Sequence, residues 1–359
     1  MLPASPASAT PFVARSPRPS LLVWASVEQD GSIVNVDVGR REVLRRFRTG
    51  GGPHNITVGP DGTVAAALYA SDGLVLVRHG RLIRVRLGGR PHDVKIAGRT
   101  VVVANEGAAR LDLVSLQGKR RGRIPLRANP HDIAVQPGTR RVWASLDGDD
   151  RLAVVNLSTR HVRYVSTGDR PHDLLFAPDG RLFVTDWSGA LHVFSRKGKQ
   201  LATRKLGEES HHLAFTPDGS QVWVTDNALR RIFVVATHGL RVLARLRFPG
   251  APHHVAITPD GRYAVVADHS RGSLVIYRVA TRRRVGTVAV GPGPHGVWAV
   301  PLGDQLSSSA GRRSRLSRRA FTATRRLEPD IDSAAISGRS TRPKAGSNTP
   351  AAMGRATEL

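Results

Sequence analysis

The chain of 359 residues contains no cysteine. That excludes disulfides, thiolate metal sites, iron–sulfur clusters and cysteine nucleophiles, and it leaves the compartment open. Aromatic residues make up only 5%, so a core drawn from the 40% apolar content must be mostly Val, Leu, Ile and Ala. No apolar run reaches the roughly 18 residues a membrane-spanning helix needs, so none is expected. Acidic residues are scarce: 28 Asp and Glu face 54 Lys and Arg, for a net charge of +26. Such a surface attracts nucleic acid, anionic lipid or acidic polymers. The opening "MLPASPASATPFVARSPRPS" has no continuous apolar stretch and is a poor signal peptide as written. The G-x-S-x-G elbow, Walker loop, H-E-x-x-H helix and dinucleotide fingerprint are all missing.

What the chain has is a repeat. A histidine, usually preceded by proline, opens a short apolar run at His54, His92, His131, His172, His211, His253 and His295. Successive spacings are 38, 39, 41, 39, 42 and 42 residues, the period of a four-stranded propeller blade. Inside one period, "HDLLFAP", "RLFVTD", "ALHVFS" and "KQLATRKL" are strand-like runs separated by turn residues. No helical periodicity lies between them, which excludes a βαβ arrangement. The last phrase, "PHGVWAVPLG" at 294–303, supplies a first strand and stops, while residues 21–50 supply three strands without a first. "VWAS" at 23–26 also matches "VWAS" at 142–145, a second strand in another repeat. The expected fold is therefore all-β, a seven-bladed β-propeller closed by N- and C-terminal strands sharing one blade. Closure leaves no long exposed sheet edge.

These phrases, "GDRPHDLLFAPDGRLFVTD", "GAPHHVAITPDGRYAVVAD" and "VGPGPHGVWAV", resemble the YVTN-type repeats of YncE-like β-propellers over about residues 21–302. The resemblance implies a binding or scaffold propeller and an extracytoplasmic location, in a repeat family that also serves several enzymes. Residues 1–20 are expected to be a disordered N-terminal segment, 21–303 the propeller and 304–359 a disordered basic tail. The repeat region remains strongly basic without that tail.

Each repeat histidine starts an innermost strand, so all seven should cluster at one mouth of the central channel. Beside them stand Asn55, Asp93, Asp132, Asp173, His212 and His254. Asn105, Glu106, Asp147, Asp186, Asp226 and Asp268 lie at the ends of second strands on the same face. Imidazoles and carboxylates together bind borderline metals or move protons. Two roles compete for the ring: a repeat device bonding each histidine to the next blade, or a ligand site for a small molecule, a protein or a divalent metal. A site is expected where the repeat breaks its own rule, at His211, His212, Asp226, His253, His254, Asp268 and His269, where Ser210 also replaces the usual proline.

The leading functional expectation is a non-enzymatic ligand-binding or scaffold protein. One alternative is a metal-dependent lyase or hydrolase at the same mouth, similar in kind to virginiamycin B lyase, whose catalytic motif does not align here residue by residue. Nitrous oxide reductase also resembles this ring in its propeller histidines, but its second copper domain needs cysteines. The lactonase propellers share a related P-x-H phrase without a matching Arg/Glu set. A further alternative is an anionic-polymer or nucleic-acid binder working through fourth strands such as "REVLRRFR" and "GLRVLARLRF", which would form a basic rim. Edge protection explains the same arginines. The Pro-Asp-Gly phrases at 60–62, 178–180, 217–219 and 259–261 read as tight turns on the opposite face.

Overall fold

The computed structural model describes residues 21–300; the expected terminal segments 1–20 and 304–359 lie outside the described residues. Seven four-stranded antiparallel sheets follow one another, each running from the channel outward. In the blade of His172 the strands are Pro171–Phe176, Leu182–Asp186, Ala190–Phe194 and Gln200–Lys205. The second and third are buried throughout and the fourth is fully exposed. That gradient explains why the middle strands read as continuous apolar runs while the outer ones carry the charge. The Pro-Asp-Gly phrases are turns: Asp61, Asp179, Asp218 and Asp260 each accept the N–H two residues on through Oδ1.

The ring closes as the repeat implies. Pro294–Ala299 pairs antiparallel with Leu22–Val27, which pairs with Ser32–Asp37 and then Glu42–Arg48. Adjacent blades pack face to face through apolar clusters. Val23, Ala25 and Val36 meet Val265, Ala267 and Leu274 across the closing seam. Trp143, fully buried, packs against Phe176, Leu182 and Phe194 of the following blade. Burying each such side chain contributes about 1.5–3 kcal/mol.

The two "VWAS" phrases do the same mechanical job. The N–H of Asp132 donates to Ser145 Oγ at 3.0 Å, and that hydroxyl donates at 2.5 Å to the carbonyl of His172 in the next blade. In the closing blade Ser26 Oγ accepts from the N–H of Gly296 at 2.8 Å and donates to the carbonyl of His54. Thr185 relays Asp173 to the His211 carbonyl in the same way. Ala67, Ala104 and Ala267 hold the matching places in three other blades, which lack the hydroxyl. Ser145→Ala should therefore lower stability by about 1–2 kcal/mol, because it strands a buried N–H and a buried carbonyl. Urea denaturation with an unchanged midpoint would contradict this role.

Candidate functional site

Every first strand is interrupted at its histidine. The ladder to the second strand slips between Pro53 and Ile56, Pro130 and Ile133, Pro171 and Leu174, Ser210 and Leu213, Pro252 and Val255, and Pro294 and Val297, with a shorter slip between Pro91 and Asp93. Proline has no N–H to give the ladder, and a bulge re-aims the side chains beside it. The histidine and its successor, which would face opposite ways in a regular strand, both join the axial cluster.

The result is a closed ring of seven imidazoles. Neighbouring ring centroids lie 4.2 Å apart for His54–His92, 3.7 Å for His92–His131, 4.5 Å for His131–His172 and 4.1 Å for His172–His211. The circuit finishes with 4.4 Å for His211–His253, 3.8 Å for His253–His295 and 3.5 Å for His295–His54. Six of the seven are buried and His253 is partly so. With Trp187 and His212 they line a cavity of about 150 Å³.

A second tier is made by the residues that follow the ring histidines. Asn55 Nδ2 donates to Asp132 Oδ1 at 2.6 Å, two blades away, and His254 Nε2 meets Asn55 Oδ1 at 2.9 Å. Lys95 Nζ donates to both oxygens of Asp93, at 2.7 and 2.6 Å. His212 stacks on His254 at 3.4 Å. The seventh place is Gly296, where an added Cβ would sit 2.9 Å from the His54 carbonyl. A third tier overhangs the ring from the residues just after the second strands. Tyr69 lies 5.1 Å from His54, Trp187 4.5 Å from His172 and His269 5.6 Å from His253. Glu28 joins His54 and His295 in one cluster of donor atoms.

Of the residues expected at the site, His211, His212, His253 and His254 are brought together, and His269 stands at the overhang. Asp226 and Asp268 bond to loop groups, with Asp268 Oδ2 left unpartnered. Asp226 accepts from the N–H groups of Glu208, Glu209 and Leu229, and Asp268 from Ala251 N–H and Ser270 Oγ. They staple loops rather than join the imidazoles, as do Asn105 and Asp186. The alternation of a strand explains it: its last residue faces the loop and the next one faces the axis. Glu28, Tyr69, Trp187 and Lys95 are site residues that sequence reasoning missed. Aligning the position after each second strand would have found the first three.

Hydrogen bonding sorts the ring. His92 Nδ1 meets the His131 carbonyl at 3.0 Å and His172 Nδ1 the His211 carbonyl at 3.2 Å. A carbonyl only accepts, so both imidazoles carry their proton on Nδ1 and keep a lone pair on Nε2. His131 Nδ1 lies 3.0 Å from Asp132 Oδ2. By contrast Nδ1 of His54, His211, His253 and His295 has no hydrogen-bond partner among the described residues, and neither has Nε2 of His212, whose Nδ1 approaches Asp173 Oδ2 at 3.3 Å without hydrogen-bond geometry.

Burial, reinforced by neighbouring imidazoles, holds His54 down to about 3 and His211 down to about 4. His92, His172, His212, His253 and His295 lie well below the usual range for the same two reasons. Burial also depresses His254, against the pull of Asp132. His131 is the exception: burial opposes its charge, but the Asp132 carboxylate raises it. Burial raises Asp93 and lifts Asp173 well above the carboxylate range, where Asp132 adds to it.

The arginine-bearing fourth strands are the exposed ones. Between two of them Arg245, Arg247, Arg282 and Arg284 line a groove over Phe248 and Tyr277. No helix among the described residues is long and apolar enough to cross a membrane.

Fold and axial cluster together define a seven-bladed β-propeller with a histidine-lined channel. The profile of the YNCE-like beta-propeller family matches residues 1–304, and the chain belongs to that family. No curated protein matches the sequence. Among solved structures it is similar to the periplasmic gluconolactonase PpgL of Pseudomonas aeruginosa, at 20% identity and TM-score 0.68, over 79% of this chain and 99% of that one. It is also similar to a functionally unknown protein from Desulfotomaculum acetoxidans, at 14% identity and TM-score 0.72, covering 79% and 99%. Virginiamycin B lyase from Staphylococcus aureus matches at 15% identity and TM-score 0.62, over 71% of this chain and 93% of that one. At these identities the likeness is one of fold.

An imidazole held below its ordinary value of 6.5 takes its proton more readily in the unfolded chain. Stability is then fully present above that value and is lost as pH falls toward the folded value. His131, Asp93, Asp173, Glu28 and Glu209, raised on folding, work the other way, but the nine lowered imidazoles, His269 among them, outnumber them. The melting temperature should therefore fall as pH drops from about 7 to about 4. A flat profile over that window would show that the ring is solvated.

Proposed function

We propose that this propeller is a non-enzymatic binder of a borderline first-row metal ion, held on the axis by His172, His211 and His212. One observation carries the reading. His212 is 1% exposed, its Nε2 has no hydrogen-bond partner among the described residues while its Nδ1 meets only the Asp173 carboxyl at 3.3 Å, and its donor atom lies within 4.8 Å of those of His172 and His211. An unpartnered buried polar atom costs about 1–3 kcal/mol, and a metal ion that accepts the lone pair removes that cost.

Imidazole donors suit Zn, Cu and Ni, and they bind as the neutral base. All three residues are held neutral by burial and by neighbouring axial imidazoles, so binding releases little or no proton from them. Affinity should be nearly independent of pH above about 6.5 and weaken only in acid. The Lys95 ammonium among the second-tier carboxylates opposes a cation on that side of the ring. Elemental analysis of protein purified without chelator should give about one such ion per chain, and His212→Phe should remove it. Absence of stoichiometric metal from the wild-type protein would refute the reading.

A second reading keeps the funnel and adds turnover. Glu28 supports it, because burial raises its carboxyl above the usual range, toward the protonated form, at the mouth beside His54 and His295. Hydrolysis of a lactone, or opening of a cyclic ester by elimination, that disappears in Glu28→Gln would favour it over pure binding. An extracytoplasmic location is part of the proposal. The family and the fold shared with a periplasmic gluconolactonase support it, and cell fractionation tests it.

A further inference from the structure

We infer that the funnel carries a second, more open metal site on Glu28, His54 and His295, separate from the inner site. The inference rests on reading the funnel as a metal binder and adds a place of different chemistry.

The closing blade creates the site. Glu28 immediately follows Leu22–Val27, and its N–H donates to the carbonyl of Gly293 at 2.8 Å, which pins it beside the first strand Pro294–Ala299. Carboxylate and imidazole thus come from opposite ends of the chain. The His54 and His295 rings are the closest neighbours in the circuit, at 3.5 Å. His295 is 3% exposed, and its Nδ1, like that of His54, has no hydrogen-bond partner. The Glu28 carboxylate makes no hydrogen bond among the described residues; the nearest imidazole in ion-pair range is His269, Nε2 to Oε2 at 4.0 Å. One donor atom from each of Glu28, His54 and His295 falls within 4.8 Å of the others.

Other axial groupings are engaged, face a positive charge or overlap the inner site. In His92, His131 and Asp132 the Nδ1 atoms and the carboxylate already bond to the His131 carbonyl, to one another and to Asn55. The grouping of Asp132, Asp173 and His212 has the Lys95 charge close by. The grouping of His212, His253 and His254 shares His212 with the inner site. Only the Glu28 side combines an unengaged carboxylate with two unengaged imidazoles.

That donor set differs in kind from the inner one. One oxygen and two nitrogens occupy one side of an ion and leave its remaining positions toward the mouth, an arrangement that accepts Mn(II), Fe(II) or Zn(II). The inner site offers nitrogen alone and discriminates against Mn(II), which favours oxygen. The outer ion would be the exchangeable one, with open positions for an oxygen-donor ligand entering the funnel.

The test is titration of the metal-stripped full chain with Mn(II), followed by electron paramagnetic resonance, and with Zn(II), followed by calorimetry. Wild type should bind one Mn(II) and two Zn(II). Glu28→Gln should weaken Mn(II) by at least about tenfold and leave one Zn(II), while His212→Phe should keep Mn(II) and lose the other Zn(II). Melting curves in chelator check that both variants are folded, and His211→Gln substitutes for His212→Phe if that one is not. Mn(II) affinity and Zn(II) count unchanged by Glu28→Gln overturn the outer site. A single Zn(II) sensitive to His212→Phe but not to Glu28→Gln overturns it while leaving the inner site standing. Mn(II) binding lost in Glu28→Gln, with no Zn(II) lost in His212→Phe, does the reverse.

Discussion

Each blade delivers its histidine through the same interruption of the strand ladder, and that interruption brings seven imidazoles within 3.5 to 4.5 Å of their neighbours. At such spacing in a buried place the rings cannot all be charged: desolvation penalises each proton and every neighbour repels it. The rest of the axial architecture follows from this constraint. Carbonyls of the next blade take the Nδ1–H of His92 and His172. Asp132 accommodates the one imidazole raised toward its charged form. Lys95 lies between carboxylates that would otherwise repel.

The same constraint turns a packing device into a binding surface. Blades with a complete set of inter-blade bonds use their histidine as a latch, and His92 is the clearest case. Blades in which the bond is missing leave a lone pair or an N–H facing nothing, at a cost that packing alone does not return. These unpartnered nitrogens are not spread evenly. They form one continuous run of the circuit, from His211 and His212 through His253 and His295 to His54, and the two metal readings fall at its two ends.

Much of the fold was legible because propeller repeats declare themselves by period. The 38- to 42-residue spacing of the histidines, the paired "VWAS" phrases and the incomplete repeat at each end lead directly to seven sheets and their seam. The site was legible only in part. His211–His212 and His253–His254 stood out as departures from the repeat, whereas the bulge that turns both members of each pair inward leaves no sequence mark beyond the proline. Asp226 and Asp268 looked like ligands because strand-end carboxylates share a face with the ring; loop N–H groups engage Asp226, while Asp268 bonds to its loop through Oδ1 alone. Glu28, Tyr69 and Trp187 escape a search for repeated residue types because they are chemically unlike one another; what repeats is their position. Lys95 sits in an inner strand where the pattern calls for an apolar residue, and its meaning appears only with the carboxylates around it.

The central claim is that the axial imidazoles are neutral and hold lone pairs ready for a ligand. It is tested most directly by nitrogen-15 NMR of histidine-labelled protein, stripped of metal and titrated from about pH 7 to about pH 4.5. Six of the seven ring histidines should stay neutral well below their ordinary value of 6.5, with His92 and His172 in the Nδ1–H form and His131 alone protonated early. Uniform titration of the ring near that ordinary value would contradict the account.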